Sequence, residues 1–166
     1  MDKLELSIRP ANGRDPGILR NGEVTVTVGT GGYLRPHVHN VQIYYEDTDF
    51  SGIVYHPNYL KYFERAREHM LGVDELVRLW DEDGIGFVVY KCAMQFKEGA
   101  RYGDHLEIRS TASLQSDYRA EFTQTVWRKN GRSPLVEATI EMVAVNRSNQ
   151  LVKMPTKLLS ATGWRG

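Results

Sequence analysis

Residues 44–68 read YYEDTDFSGIVYHPNYLKYFERARE, and this stretch contains the clearest helix signal in the sequence. Its first half is a polar loop rich in acidic and aromatic residues, and the loop ends in His56-Pro57. Proline is favoured at the first position of a helix, so we expect His56 to cap a helix that begins at Pro57. Apolar residues then recur at helical spacing as far as Leu71, and Gly72 is a residue type that ends helices. The stretch predicts a loop that leads directly into one long helix.

The chain on either side of this helix is patterned for β-strands. Upstream, apolar and polar residues alternate in 22–28 and again in 41–46, which predicts two short strands. Downstream, a short second helix is expected near residues 75–80, and Asn130-Gly131 predicts a tight hairpin. The four β-rich runs there are residues 87–96, 106–114, 118–129 and 136–146. One long helix with antiparallel strands predicts an α+β fold, with the helix packed on one face of the sheet.

Composition limits the class of protein. The 166 residues carry 21 Lys plus Arg and 21 Asp plus Glu, so the formal net charge of zero argues against a dedicated nucleic-acid-binding protein. Cys92 is the single cysteine, which excludes an intrachain disulfide, and we expect it to be a small core residue. We recognise no secretory leader and no stretch long enough to span a membrane. We therefore expect a cytoplasmic protein without a bound metal or cofactor.

Two further patterns concern burial. His37 and His39 share one face of an extended segment, and with no third ligand nearby we interpret them as solvent-facing rather than metal-binding. Apolar residues occupy both faces of the late strands, among them Leu135, Val136 and Met142. Because one helix covers only one face of a sheet, we expect a second subunit to cover the other face, giving at least a dimer.

The loop before the helix carries residue types suited to acyl chemistry. Asp47, Asp49, Ser51 and His56 lie within ten positions of each other. A helix N-terminus favours negative charge and can polarise a carbonyl group placed against it. An aspartate here, ionised at neutral pH, could attack an activated acyl carbon or take a proton from water. Such loops more often serve only as helix caps, so the residues alone leave both interpretations open.

The segments DTDFSGIVYHPNY and FERARE, residues 47–59 and 63–68, resemble the signature of the 4-hydroxybenzoyl-CoA thioesterase group of the hotdog superfamily. The resemblance is greatest to its subgroup of short acyl-CoA thioesterases associated with the Tol–Pal gene cluster. It implies a hotdog fold, in which one long central helix is wrapped by a five- to six-stranded antiparallel sheet. It also implies a hotdog thioesterase domain over residues 37–166 and leaves residues 1–36 as an N-terminal extension with one extra strand.

The resemblance further implies a function. It implies hydrolysis of a CoA or acyl-carrier-protein thioester at the subunit interface of a homodimer or homotetramer. By position, Asp49 matches the family's catalytic carboxylate, as nucleophile or general base. His56 matches a residue whose backbone N–H polarises the thioester carbonyl, and a role for its side chain stays open. Tyr55, Asn58 and Tyr59 match positions that bind substrate or shape the start of the helix.

Two other functions stay open. An enoyl-thioester hydratase or dehydratase of the hotdog fold would also use an aspartate and a histidine, at closer spacing than Asp49 and His56. A non-catalytic acyl-thioester-binding protein would bind the same ligand without turnover. Some hotdog enzymes place their carboxylate on the helix, but since Asp49 fills that role here, we expect Glu64 to face solvent or an ion pair.

Overall fold

The computed structural model describes residues 26–28, 32–34 and 36–155. Within this part of the chain, a six-stranded antiparallel sheet and one long helix form the α+β fold that the sequence predicts. The sheet order is β3-β5-β6-β7-β4, and β8 pairs with the end of β7. The elements in chain order are β1 (Val26–Val28), β2 (Gly32–Leu34), β3 (His37–Gln42), α1 (Asn58–Leu71), α2 (Val73–Arg78), β4 (Ile85–Phe96), β5 (His105–Ser116), β6 (Arg119–Arg128), β7 (Pro134–Asn146) and β8 (Leu151–Val152).

The helix and the long strands confirm the sequence prediction. α1 begins at Asn58, one residue after the expected Pro57, and ends at Gly72, whose φ of 91° an ordinary side chain would strain. Strands β4 to β7 match the four predicted runs to within a few residues. Within the described residues, no helix combines the length and apolar character needed to cross a membrane.

The region before α1 differs from the prediction. The strand predicted over 41–46 lies earlier, at β3, because Asp47 accepts a hydrogen bond from Tyr44 N–H and turns the chain there. In the extension, β1 pairs with β2 as a two-stranded antiparallel sheet, where one strand was expected. A lone strand leaves its backbone groups unpaired, so the second strand satisfies them. The rest of the predicted strand at 22–28 lies outside the described residues.

The core lies between α1 and the inner face of the sheet. On the helix, Tyr59, Phe63 and Ala66 are buried, and on the sheet every second residue of β5 and β6 is buried opposite them. Side chains alternate between the two faces of a strand, which explains this period of two. Full burial of a side chain such as Phe63 contributes about 1.5–3 kcal/mol, so this layer fixes the position of α1 on the sheet.

Several exposed apolar side chains lie on β4, among them Val88, Val89 and Tyr90. Leu135, Val136 and Met142 are buried within the single chain, so the prediction that a second subunit covers them is wrong. Cys92 on β4 is exposed, and its predicted place in the core is also wrong. The two errors concern the order of the strands: β7, which carries Leu135, Val136 and Met142, lies inside the sheet between β6 and β4, whereas β4, which carries Cys92, lies at an edge. Periodicity does not say which strand lies at an edge.

A buried polar network crosses the core beneath α1. Gln124 on β6 accepts a hydrogen bond from Arg67 Nη1 at 2.8 Å and donates to Ser110 Oγ at 2.8 Å and to the Phe63 carbonyl at 3.1 Å. Arg67 also pairs with Glu64, which is half exposed, as expected for an ion-pair position. Because burial lowers the pKa of Arg67, these partners are what keep its charge inside the protein.

The histidines of β3 face the helix. His37 and His39 pair with Ser110 and Ile108 of β5, and the His39 ring stacks on the His69 ring of α1 with centroids 4.6 Å apart. Nε2 of His37 is buried without a hydrogen-bond partner. The solvent-facing position predicted for the pair is therefore wrong. Burial lowers the pKa of both His37 and His39 below the ordinary value of 6.5, and the charge of His69 lowers it further.

This histidine cluster predicts acid sensitivity. The unfolded chain binds protons near pH 6.5 that the folded chain takes up only at lower pH, so stability is fully present above that pH and falls below it. We expect urea unfolding followed by circular dichroism to show this decline between about pH 7.5 and about pH 5.5. His39→Phe, which keeps a ring against His69, should weaken the decline. His105→Asn, at an exposed histidine, should retain it, and equal declines in wild type and His39→Phe would contradict the prediction.

Candidate active site

The residues between β3 and α1 form a tight loop closed by backbone hydrogen bonds. Thr48 pairs with Val54 as an isolated antiparallel bridge. At the tip, Asp49 N–H donates to the Ile53 carbonyl at 2.9 Å, and the Asp49 carbonyl accepts from Gly52 N–H at 3.0 Å. Gly52 has a φ of 77°, a conformation that favours glycine. The backbone around Asp49 is therefore fixed on both sides.

The Asp49 carboxylate is exposed and bonded to Ser51. Its Oδ1 accepts from Ser51 N–H at 2.8 Å and from the Ser51 hydroxyl at 2.5 Å. The hydroxyl contact is the largest cause that lowers the pKa of Asp49, the N–H contact is the next, and the charge of His56 lowers it further. Asp49 is thus ionised at neutral pH and accessible, as a nucleophile or general base must be.

The backbone N–H of His56 is the amide that the helix start leaves free. The first three N–H groups of α1 donate to the carbonyls three residues before them. Asn58 N–H donates to Tyr55 at 2.9 Å, Tyr59 N–H to His56 at 3.4 Å and Leu60 N–H to Pro57 at 3.1 Å. Among the described residues, the His56 N–H has no hydrogen-bond partner. An amide of this kind can donate to a developing oxyanion. The resemblance implies a role for the His56 amide, whereas the N–H groups of Asn58, Tyr59 and Leu60 in α1 are already hydrogen-bonded.

Aromatic rings surround His56. The Tyr55 ring lies 4.8 Å from the His56 ring, and the Phe96 ring at the end of β4 lies 6.3 Å from it, edge on. Tyr55, His56 and Phe96 are all exposed, so they form one accessible apolar surface beside the free amide. Sequence reasoning missed Phe96, because its contact with His56 depends on how β4 is placed in the sheet.

The other two predicted site residues point inward. The Asn58 side chain donates to the Asp47 carbonyl at 2.9 Å. Tyr59 is buried, and its hydroxyl accepts from Ala100 N–H at 3.0 Å. Asn58 thus holds the loop at the start of the helix, and Tyr59 holds residues 97–104 against it, while their contact with substrate stays a prediction. Asp49, His56 and Tyr55 are the predicted residues that lie together at the surface.

A polar groove lies behind this loop. It encloses about 500 Å³ between the edge of β3 and one face of α1. Its walls include Asp47 and Tyr62 together with the basic residues His39, Lys61 and Arg65, whereas Asp49 lies outside it. The loop therefore has two different sides, one with the exposed carboxylate and the free amide and one facing the groove.

The arrangement suits acyl transfer to water. An ionised carboxylate can activate a nucleophile, and a backbone amide at the end of the same loop can stabilise the oxyanion that forms. A carboxylate is too weak a nucleophile to attack an ordinary amide, so the acyl group must be an activated one such as a thioester. In residues 36–155, no group of three His, Cys, Asp or Glu side chains is placed to hold a metal ion.

Known proteins share both sequence and fold with this chain. Residues 44–162 match the thioesterase-like superfamily. The acyl-CoA thioester hydrolase YbgC of Escherichia coli is 34% identical over 108 residues, which cover 64% of this chain and 79% of that protein. A probable thioesterase from Bartonella henselae has a similar structure, with a TM-score of 0.66, 30% identity and coverage of 72% of this chain and 99% of that one. A 4-hydroxybenzoyl-CoA thioesterase bound to 4-hydroxybenzoyl-CoA gives a TM-score of 0.70 at 20% identity and shares the fold, covering 76% of this chain and 98% of that one.

The six-stranded antiparallel sheet and its one long helix form the hotdog fold. The chain belongs to the thioesterase-like superfamily.

Proposed function

We propose that this protein hydrolyses acyl-CoA thioesters to the free acid and CoA, with Asp49 as the catalytic carboxylate and the His56 amide as the oxyanion donor. The observation that carries the proposal is one exposed loop with an ionised carboxylate at its tip and, at its end, an amide that has no hydrogen-bond partner within residues 36–155. The acyl-CoA thioester hydrolase that is 34% identical supports the choice of CoA as the thiol carrier.

The reaction then needs few groups. The carbonyl oxygen accepts a hydrogen bond from His56 N–H, which stabilises the negative charge that develops there. Asp49 either takes a proton from the attacking water or attacks the carbonyl carbon itself to form a mixed anhydride that water opens. The C–S bond breaks in both routes, and the thiolate leaves and is protonated. A single turnover in heavy-oxygen water detects an anhydride that water opens at the carboxyl carbon of Asp49, because that route alone carries the label into Asp49.

A panel of thioesters tests the function. We expect thiol release from acyl-CoA substrates, measured with a thiol reagent, over short aliphatic, long aliphatic and aromatic acyl groups. The same acyl groups on acyl-carrier protein show which carrier is used. Hydration of an unsaturated acyl-CoA without thiol release, or tight binding without turnover of any member, would contradict the proposal.

His56→Ala separates the amide from the imidazole. The substitution removes the ring but keeps the backbone N–H, so a purely backbone role predicts that kcat falls by less than about tenfold. A side chain that transfers a proton contributes about 10²–10⁴-fold, so a loss in that range would assign acid–base work to the imidazole. Steady-state kinetics at neutral pH distinguishes the two.

Ser51→Ala tests how Asp49 is kept ionised. Losing the Ser51 hydroxyl removes the largest cause that lowers the pKa of Asp49, so that pKa should rise toward its ordinary value of 3.8. Activity that needs ionised Asp49 is present above its pKa and lost as pH falls through it. We therefore expect the acid limb of the kcat/KM profile to move to higher pH. Ser133→Ala, at an exposed serine in the turn before β7, should leave that limb unmoved; an unmoved limb in Ser51→Ala would contradict the prediction.

We further propose that the protein forms a homodimer through β4. This strand of 12 residues lies at the sheet edge, and Val88 and Tyr90 on it are 47% and 58% exposed. Long apolar edge strands pair with other chains unless they are protected. Phe96 lies at the end of the same strand, so a dimer formed there would bring the partner close to His56.

Light scattering with size exclusion tests the assembly. Wild type should have twice the chain mass, and a fourfold mass would indicate a tetramer. Val88→Lys adds a charge to the β4 edge and should give monomers, whereas Leu151→Lys, at an exposed residue of β8, should not. A monomeric wild type would contradict the proposal.

We also propose the bounds of the domain and the location of the protein in the cell. Residues 37–166 form the hotdog thioesterase domain, and residues 1–36 are an extension of it. The protein acts in the cytoplasm, an expectation that the single Cys92 supports because disulfides are rare there.

A further inference from the structure

Asp47 lies at the base of the loop that carries Asp49, and its oxygen atoms accept four hydrogen bonds. Its carboxylate accepts from Tyr62 Oη at 2.7 Å and from Tyr44 N–H at 2.8 Å. Its carbonyl accepts from Asn58 Nδ2 at 2.9 Å and from Tyr55 N–H at 2.9 Å. Asp47 therefore bonds to the end of β3, to the end of the loop and to α1.

These contacts connect the loop to one face of the helix. Asn58 and Tyr62 are four positions apart on α1, so they lie on the same face, one turn from each other. Asn58 holds the Asp47 carbonyl, and Tyr62 holds the Asp47 carboxylate. Asp49 follows Asp47 by two residues, and His56 follows Tyr55 by one. The bonds of Asp47 thus join the two ends of the loop segment that carries Asp49 and leads into His56.

The Tyr62 hydroxyl is a permanent donor in this arrangement. Tyr62 is 1% exposed, and burial together with the bond to Asp47 raises its pKa, so the phenol stays protonated. Asp47 and Tyr62 both line the groove behind the loop. Water in the groove can solvate Asp47 when the Tyr62 hydroxyl is removed, so the chain should still fold without this bond.

We propose that Asp47, Asn58 and Tyr62, which we name the loop clamp, position Asp49 against the His56 amide during thioester hydrolysis. The inference rests on the proposed roles of Asp49 and His56. The members of the loop clamp are positioning residues, because they act through the loop and face away from its reactive side. A shift of about 1 Å in reacting groups can lower a rate about 100-fold, so a clamp of this kind has a measurable effect.

Kinetics of three variants test the loop clamp. Tyr62→Phe removes one hydroxyl and should lower kcat about tenfold, and Asp47→Ala removes both carboxylate bonds and should lower it about 100-fold. Asp47→Asn keeps an oxygen that accepts from Tyr62, so its kcat should lie between those of Asp47→Ala and wild type. KM should stay within about twofold throughout, because the apolar surface near His56 is unchanged.

Hydrogen exchange supplies a readout that does not need activity. In Tyr62→Phe, the amides of Asp49 and Tyr55 should exchange faster than in wild type, while amides of β5 and β6 keep their rates. Ile108→Val in β5 is the control for a general loss of stability. It should lower the melting temperature without changing kcat, KM or the exchange rates of the loop amides.

The outcomes separate this inference from the proposed function. Unchanged loop exchange and unchanged kcat in both Tyr62→Phe and Asp47→Ala would overturn the loop clamp and leave the roles of Asp49 and His56 intact. The loop clamp would also be overturned if Tyr62→Phe and Ile108→Val, compared at equal melting temperature, lost the same fraction of kcat. Normal turnover in Asp49→Asn would instead overturn the proposed function, and the exchange rates would still decide whether Asp47 fixes the loop.

Discussion

Asp49→Asn should lower kcat about a thousandfold while the protein remains folded, because an amide neither takes a proton from water nor attacks a thioester. The change is nearly isosteric, and the asparagine side chain still offers an oxygen to the Ser51 hydroxyl and N–H that bond to Asp49. The Asp49 side chain is exposed, so its charge is not needed for packing. Thiol release from acyl-CoA substrates measures the loss, and circular dichroism and light scattering show that the fold and assembly are retained.

Asp117→Asn is the matched control for this variant. Asp117 is also an exposed aspartate with a lowered pKa, in this case caused by Lys153, and it lies between β5 and β6 away from the loop. It should turn over at the wild-type rate. Turnover near wild type in Asp49→Asn would remove Asp49 from the mechanism.

Gln124→Leu should lower the free energy of unfolding by about 3 kcal/mol, because it leaves buried polar groups without partners. Arg67 would lose the oxygen that its Nη1 contacts, and Ser110 and the Phe63 carbonyl would lose a donor. Leucine has a similar volume, so the loss reports the hydrogen bonds more than packing. Urea unfolding followed by circular dichroism measures it.

A double variant shows whether the loss of stability in Gln124→Leu arises because Arg67 is buried without its hydrogen-bond acceptor. Arg67→Met combined with Gln124→Leu removes both partners, so its loss should be smaller than the sum of the two single losses. Thr123→Ala, on the outer face of β6, should change stability by less than about 0.5 kcal/mol. Additive losses in the double variant would show that Gln124 does not act through Arg67.

Local patterns in the sequence predicted the helix, the long strands and the loop residues. The spacing from Asn58 to Leu71 indicates one buried helix face, and the loop residues Asp49, Tyr55 and His56 are close in sequence, so their proximity in space needs no knowledge of the sheet.

The contacts that the sequence could not predict depend on the order of the strands in the sheet. The contact of Phe96 with His56 joins residues 40 positions apart, and the Tyr59 hydroxyl reaches Ala100 across a similar separation. Cys92 was misplaced for the same reason, since an edge strand and a central strand can share one apolar pattern.

Phe96 belongs both to the edge strand β4 and to the surroundings of His56. In a dimer joined along β4, separation of the two copies would release the end of that strand next to the reacting carbonyl. The turnover number per chain would then fall on dilution, and assays at nanomolar and micromolar enzyme would differ.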